Sequence, residues 1–101
     1  MPNSLNLVGD NKCMVRVIRG SVTDSMGTSG ELIVRDEVDG DIGNRATVSV
    51  CQRIVTGDVL LNTITPSYAY DSATDKTVIG FSCTNNPNHA GPVHLNYSII
   101  V

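Results

Sequence analysis

Apolar and polar residues alternate along much of the chain, and the alternation is clearest in the last nine residues. Every second side chain of this segment is large and apolar, and only Ile100 departs from the rule. A period of two is typical of a β-strand with one face buried. Burial of each such side chain contributes about 1.5–3 kcal/mol, so the C-terminal segment is predicted to be a strand docked in a sheet. The apolar positions are Val93, Leu95, Tyr97, Ile99 and Val101.

Residues 77–84 show the same period, with Ile79, Phe81 and Cys83 on one face. Residues 85–92 lie between this segment and the C-terminal strand. They contain two prolines and several asparagines, which exclude both a helix and a continuous ladder, so they are predicted to form a loop. We expect the two strands on either side of this loop to pair with each other.

Two hairpins are predicted in the middle of the chain. Residues 45–55 and 58–64 both alternate, and Thr56-Gly57 between them is typical of a tight turn. The second hairpin joins residues 68–70, through the turn-forming residues 71–76, to the strand that follows.

The N-terminal part of the chain predicts shorter strands. Residues 13–18 and 32–34 alternate, and Leu5 and Leu7 indicate a first strand at a sheet edge. Residues 21–30 are rich in Ser, Thr and Gly, and we interpret them as a mobile loop.

No window of ten or more residues keeps the apolar spacing of a helix, and Val, Ile and Thr dominate the composition. The sequence therefore predicts one all-β domain over residues 1–101. We expect about seven or eight short antiparallel strands, arranged as a β-sandwich or a partly open barrel.

Charged residues are scarce. They make up 17% of the chain, whereas an average soluble domain has about 25%. A large part of the surface must therefore be uncharged. The net charge is −3, and no run of Lys or Arg is present that could neutralise phosphates. Nucleic acid is therefore not expected as a partner.

Neither a membrane span nor a secretory signal is predicted. No apolar stretch reaches the about 18–20 residues of a transmembrane helix, and residues 1–10 lack the basic-then-apolar order of a signal peptide. We expect a protein made in the cytoplasm, with no membrane partner. The three cysteines are evenly spaced and odd in number, so reduced thiols are expected, with Cys13 and Cys83 in the core and Cys51 more exposed.

The densest group of carboxylates lies in residues 36–41, beside a glycine. When that glycine is placed at the sixth position of a calcium loop, Arg35 and Ala46 occupy the first and twelfth positions, where acidic ligands are required. We therefore interpret the segment as a solvated acidic loop. A weak, irregular cation site is the alternative, with Asp39 and Asp41 as its binding residues.

Four further residues are candidates for binding. His89 and His94 are five residues apart, which is not a spacing typical of zinc ligands. Tyr68 and Tyr70 share a strand face and could stack on a sugar ring. The structural alternative is that both tyrosines cover a sheet edge or fill core space.

No residue stands in a recognisable catalytic setting. No Ser or Cys lies beside a base that a third group would orient, and no glycine-rich phosphate loop is present. We therefore expect a non-enzymatic protein with no cofactor. The enzyme alternative is metal-assisted hydrolysis by His89, His94 and Asp71, although the ligand spacing is wrong.

A neutral, strand-rich surface without a pocket signature favours assembly. Persistent interfaces are depleted in charge at their centres, and self-association hides the exposed edges of a small sheet. The leading interpretation is a homo-oligomeric structural protein. A carbohydrate- or ligand-binding module, such as a receptor-binding fibre head, is the alternative.

Three features of the chain carry a resemblance of general type to a known class of proteins. They are the start Met1-Pro2-Asn3, the Ser/Thr/Gly-rich loops and the apolar ending Ile99-Ile100-Val101. The chain resembles the small virion-associated β proteins of tailed bacteriophages, such as capsid decoration (cement) proteins and fibre heads. The resemblance implies a virion component that forms a trimer or similar oligomer and binds a larger protein shell or fibre. Residues 36–44 and 85–92 would be its contacts.

Overall fold

The computed structural model describes residues 16–44 and 46–101. Six strands follow one another along this part of the chain: β1 (Val17–Met26), β2 (Glu31–Asp39), β3 (Thr47–Arg53), β4 (Thr63–Asp71), β5 (Lys76–Thr84) and β6 (Gly91–Ile100). They form two three-stranded antiparallel sheets: sheet A in the order β1-β6-β3 and sheet B in the order β2-β5-β4. The predicted all-β class is confirmed, and the arrangement is that of a small β-sandwich. Over the described residues the strands number six, whereas seven or eight were expected of the whole chain.

The core lies between the two central strands, β5 and β6. Phe81 of β5 and Tyr97 of β6 meet across it, with ring centroids 5.4 Å apart and ring planes tilted by 40°. Phe81 is fully buried, and so are Thr77, Ile79, Cys83, Val93, Leu95 and Ile99 of the same two strands. The C-terminal segment is therefore a docked strand, as its alternation predicts, and each central strand buries its apolar face.

The predicted pairing of the two central strands is wrong. β5 bonds to β2 and β4, whereas β6 bonds to β1 and β3, so the two strands face each other through the core. Residues 85–90 carry the chain from one sheet to the other. A period of two specifies which side chains of a strand are buried and leaves its hydrogen-bonding neighbour open.

The predicted hairpin of residues 45–55 and 58–64 is also wrong, because β3 and β4 belong to different sheets. A tight turn does form at Thr56-Gly57: the Asp58 N–H donates to the Val55 carbonyl at 2.9 Å, and Gly57 has a φ of +94°. After this turn the chain crosses to sheet B. Side-chain bonds from Gln52 to the backbone of the crossing segment hold it in place. The other predicted hairpin, β4–β5, is confirmed.

Three loop predictions need correction. Residues 21–26 belong to β1, and only residues 27–30 form a connection. Asp36 to Asp39 complete β2, and the last two residues of the predicted loop 85–92 begin β6. The strand predicted over residues 13–18 overlaps β1 only at Val17 and Ile18. The rest of β1 was not predicted because its inward positions include Gly20 and Asp24, which interrupt the apolar alternation. The strand predicted at Leu5 and Leu7, and Cys13, lie outside the described residues.

Candidate functional site

The six predicted binding residues fall into two groups at opposite ends of the sandwich. One group lies near the connections 40–46 and 72–75 and consists of Asp39, Asp41, Tyr68 and Tyr70. The other lies near the connections 54–62 and 85–90 and consists of His89 and His94. The structure therefore does not bring them together into one site.

The two tyrosines of β4 bind the connections at their end of the sandwich. Tyr68 donates its hydroxyl to the carbonyl of Gly43 at 2.9 Å, and Tyr70 donates to Oδ1 of Asp75 at 2.6 Å. The bond to Asp75, together with burial and neighbouring carboxylates, raises the pKa of Tyr70 above its usual value. Both hydroxyl groups are thus engaged within the chain, and Tyr70 keeps 42% of its surface exposed.

The acidic residues of this end are also engaged. Asp39 forms an exposed ion pair with Lys76 at 2.8 Å, and its hydrogen bond with Lys76 lowers the pKa of the carboxyl. Asp41 accepts the N–H of Gly43 at 2.8 Å. Over residues 16–44 and 46–101, no three His, Cys, Asp or Glu side chains are grouped closely enough to hold a metal ion.

His94 is held by a carboxylate that sequence analysis missed. Its Nδ1 lies 2.8 Å from Oδ2 of Asp58, whose side chain is only 1% exposed. The same oxygen accepts the N–H of Val55 at 2.9 Å. Burial alone would raise the pKa of Asp58, but the hydrogen bonds from Val55 and His94 and the nearby charge of Arg53 outweigh it, so the pKa lies below its usual value.

This pair secures the turn before the crossing segment against the outer face of sheet A. The residues directly opposite His94 on the neighbouring strands are Thr23 and Arg53, and neither side chain is hydrogen-bonded to the imidazole. Asp58 is 36 positions away from His94 in sequence, which is why no local motif indicated the contact.

A polar groove of about 660 Å³ separates the connections 54–62 and 85–90. Its lining is rich in asparagine and includes His89 and the exposed Leu60. Two polar atoms of lining residues, Oδ1 of Asp58 and Nδ2 of Asn85, are buried without a hydrogen-bond partner in the described part of the chain. Because both atoms are shielded from solvent, a molecule in the groove would meet the rim amides and not these two atoms.

The outer face of sheet A is the most distinctive surface. Its side chains are small and mostly neutral: Val17, Arg19, Ser21, Thr23 and Ser25 on β1; His94, Asn96, Ser98 and Ile100 on β6; Thr47, Ser49, Cys51 and Arg53 on β3. No carboxylate projects from it within the described strands. A shallow depression of about 280 Å³ lies near its centre, between Arg19 and Cys51.

The outer face of sheet B is different in charge. On β2 it carries Glu31, Arg35, Glu37 and Asp39, and Lys76 and Asp71 follow on the neighbouring strands. The two faces of the sandwich are therefore distinct surfaces. The outer face of sheet A is mostly uncharged and carries two arginines, whereas that of sheet B is highly charged along one edge.

Across residues 16–44 and 46–101 no helix has the length and apolarity to cross a bilayer. Comparison of the chain with protein-family models, with curated proteins and with solved structures found no match.

Proposed function

We propose that this chain is a non-enzymatic structural protein that assembles with copies of itself and with a larger protein partner. The single observation that supports it best is the neutral outer face of sheet A. That face extends over three strands and exposes serine, threonine and asparagine in place of the carboxylates and lysines of an ordinary soluble surface. The capsid-decoration role implied by the resemblance to bacteriophage virion proteins is part of this proposal.

Such a face can be buried at little cost. Short side chains lose little conformational entropy when they become ordered, and uncharged groups are far easier to remove from water than ions. Interfaces that persist are depleted in charged residues at their centres for the same reason.

Apolar side chains at one end of this face also favour its burial in an interface. Val17 and Ile100 are direct ladder partners and keep 49% and 46% of their surfaces exposed. Burial of the two together would remove a continuous apolar patch from water, at about 25 cal/mol per Å² of apolar surface. The face thus combines a hydrophobic end with a mostly uncharged polar centre, beside which Arg19 lies.

The contacts of the Asp58–His94 pair support the proposal that the protein is not an enzyme. Its contacts are those of a structural clamp: it ties a turn to a sheet, and no side-chain hydroxyl or thiol in the described residues is hydrogen-bonded to the imidazole.

The test is the molar mass in solution. We expect size-exclusion chromatography with light scattering to give a multiple of the 10.8 kDa chain at micromolar concentration. Asn96→Glu places a charge at the centre of the neutral face and should lower that mass. Ser82→Glu is the matched control, because Ser82 is also exposed and lies on the central strand of the other sheet. A wild-type chain that stays monomeric at high micromolar concentration would contradict the proposal.

The second candidate function is binding of a neutral carbohydrate. The groove between the connections 54–62 and 85–90 favours it, because Asn62, Asn86 and His89 can both donate and accept hydrogen bonds, as sugar hydroxyls require. Saturable binding on a glycan array, lost in Asn86→Ala and His89→Ala but retained in Tyr68→Ala, would place the site in this groove. Loss in Tyr68→Ala alone would favour the tyrosine platform instead.

A further inference from the structure

The four edge strands of the sandwich differ in how their backbone is protected. In an antiparallel ladder, each residue directs both its N–H and its C=O to the same side, so alternate residues face the neighbouring strand and the free edge. Arg16 and Val101 exchange two hydrogen bonds, of 2.9 and 3.4 Å. Odd-numbered residues of β6 therefore bond to β1, and even-numbered residues bond to β3.

This alternation shows which residues of β3 direct their backbone groups to its free edge. Its odd-numbered residues pair with even-numbered residues of β6 and are bonded to them. The backbone groups of Val48, Val50 and Gln52 consequently face outward. The bond from the Val59 N–H to the Pro92 carbonyl, at 3.1 Å, agrees with this direction, because it continues the β3 side of the ladder.

On β1 and β2, an aspartate side chain covers an outward N–H. Asp24 accepts the N–H of Ser25 at 2.8 Å, and Asp36 accepts the N–H of Glu37 at 2.8 Å. Both donors face the free edge by the same alternation. A carboxylate at an edge also repels an approaching strand, since charged groups are a common protection against edge-to-edge association.

On β4, a proline serves the same purpose. Pro66 is paired with Phe81, which bonds to β2, so the nitrogen of Pro66 is directed to the free edge. Proline carries no N–H, and the middle of this edge therefore has no donor for a partner strand.

β3 carries none of these devices within its seven described residues. Thr47–Arg53 contains no proline and no carboxylate, and the N–H groups of Val48 and Val50 are not covered by any described side chain. Gln52 directs its side chain away, to the backbone of Val59 and Leu61. Over the described residues, β3 is the edge that carries none of these devices along its whole length, whereas β1 carries its one device at Ser25, near one end.

We propose that β3 pairs antiparallel with β3 of a second copy, about a two-fold axis at Val50. The inference rests on the proposed self-association and adds to the outer face of sheet A a second contact, between the edges of two copies. Val50 would exchange two hydrogen bonds with Val50 of the second copy, and Val48 would pair with Gln52. Two A sheets would join into one six-stranded sheet with a continuous neutral outer face.

A second copy fits this edge better than an unrelated strand. In the two-fold register Ser49 lies opposite Cys51 and Thr47 lies opposite Arg53, so no like charges face each other and the closest side chains are small. An isologous contact also closes on itself. It uses the unprotected edge of both copies and leaves at each end of the joined sheet a β1 edge, on which Asp24 covers the N–H of Ser25.

The first test removes the outward donor. Val50→Pro places in β3 the same device that Pro66 provides in β4, with the side chain inward and the nitrogen at the free edge, so the fold has a precedent for it. We expect the molar mass to fall, because the contact between the two β3 edges is lost. Thr23→Pro is the matched control, because it removes an outward N–H from an edge that is already protected, and it should leave the mass unchanged.

The second test uses an engineered disulfide between two copies. It does not require the fold to tolerate a proline in β3. Ser49→Cys places a thiol opposite Cys51 of the second copy, whereas Cys51 of the same chain is two residues away along the strand and out of disulfide reach. Mild oxidation should give a covalent dimer on a non-reducing gel, with a 49–51 linkage in the peptide map. Ser98→Cys, on the central strand, is the control and should give none.

The outcomes separate this inference from the proposed function. If the wild type is oligomeric, but Val50→Pro keeps the same mass and Ser49→Cys gives no 49–51 linkage, the β3 contact is wrong and self-association stands. A linkage to Cys13 would show that the N-terminal segment covers this edge, and would overturn the inference. A wild type that remains monomeric at every concentration would overturn both.

Discussion

Tyr97 donates its hydroxyl to Oδ2 of Asp36 at 2.6 Å, and this bond joins the central strand of sheet A to an edge strand of sheet B. The other oxygen of the carboxylate accepts the N–H of Glu37. An acidic side chain can therefore face inward on β2, because both of its oxygens have hydrogen-bond donors. The same aspartate contributes to the connection between the sheets and to the protection of an edge.

Tyr97→Phe tests this connection. The variant keeps the packing against Phe81 but leaves Oδ2 of Asp36 without its donor, so we expect a loss of about 1–3 kcal/mol in the free energy of unfolding. Urea denaturation measures it. Tyr68→Phe is the control, since its hydroxyl binds an exposed carbonyl, and it should lose less. Equal losses in the two variants would contradict this account.

Alkaline titration gives a second readout of Tyr97. Burial, followed by the hydrogen bond to Asp36 and the charge of that carboxylate, raises its pKa. A raised pKa in the folded state means that the neutral phenol stabilises the fold up to the unfolded value of about 10 and that this contribution is lost as the pH rises further. The latest step in tyrosinate absorbance should be absent from Tyr97→Phe. If the absorbance step at the highest pH is unchanged in this variant, that step belongs to another tyrosine.

Gly20→Ala tests the packing on the other side of the same ring. Gly20 and Tyr97 are ladder partners, and a methyl group on residue 20 would collide with the phenol ring. The ring would have to shift within a close-packed core, so we expect a destabilisation of about 1–3 kcal/mol. Gly27→Ala is the matched control because a methyl group there meets open space. Similar unfolding midpoints for the two variants would refute the close approach.

Asp58→Ala should make stability less dependent on pH. The folded pKa of Asp58 lies below its usual value, so the unfolded chain binds the proton more tightly. The stabilisation is then fully present above the unfolded pKa of about 3.9 and is lost as the pH falls through the folded pKa. The difference in urea midpoint between wild type and variant should be large at neutral pH and shrink at acid pH. Asp58→Asn, which keeps an acceptor oxygen, should retain part of the stability; a difference constant with pH would be evidence against the assigned role.

The thiols should differ in reactivity. Cys51 is exposed on the outer face of sheet A, whereas Cys83 is 1% exposed and burial raises the pKa of its thiol. Because the thiolate is the reactive form, iodoacetamide should modify Cys51 in the native protein and reach Cys83 only after unfolding. Peptide mapping before and after addition of urea measures the two sites. Equal labelling in the native state would mean that the core opens readily.

Part of the candidate site could be predicted from the alternation of side chains within single strands. Tyr68 and Tyr70 do share a face of β4, and Cys83 is a core residue in phase with Phe81, as the alternation predicts. The contact between Asp58 and His94 could not be read in this way, because the two residues meet only after the chain has crossed between sheets. The alternation of residues 58–64 places Asp58 in a predicted hairpin, and that hairpin does not form.

The alternation of side chains by itself determined that the chain is all-β and which faces of its central strands are buried, because burial of a strand face depends on residues that are neighbours in sequence. Only the tertiary structure decided which strands share a sheet, which way each backbone N–H points, and which described edge carries no protecting side chain along its length. Those properties depend on pairings between distant segments, and a period of two is equally compatible with many such pairings.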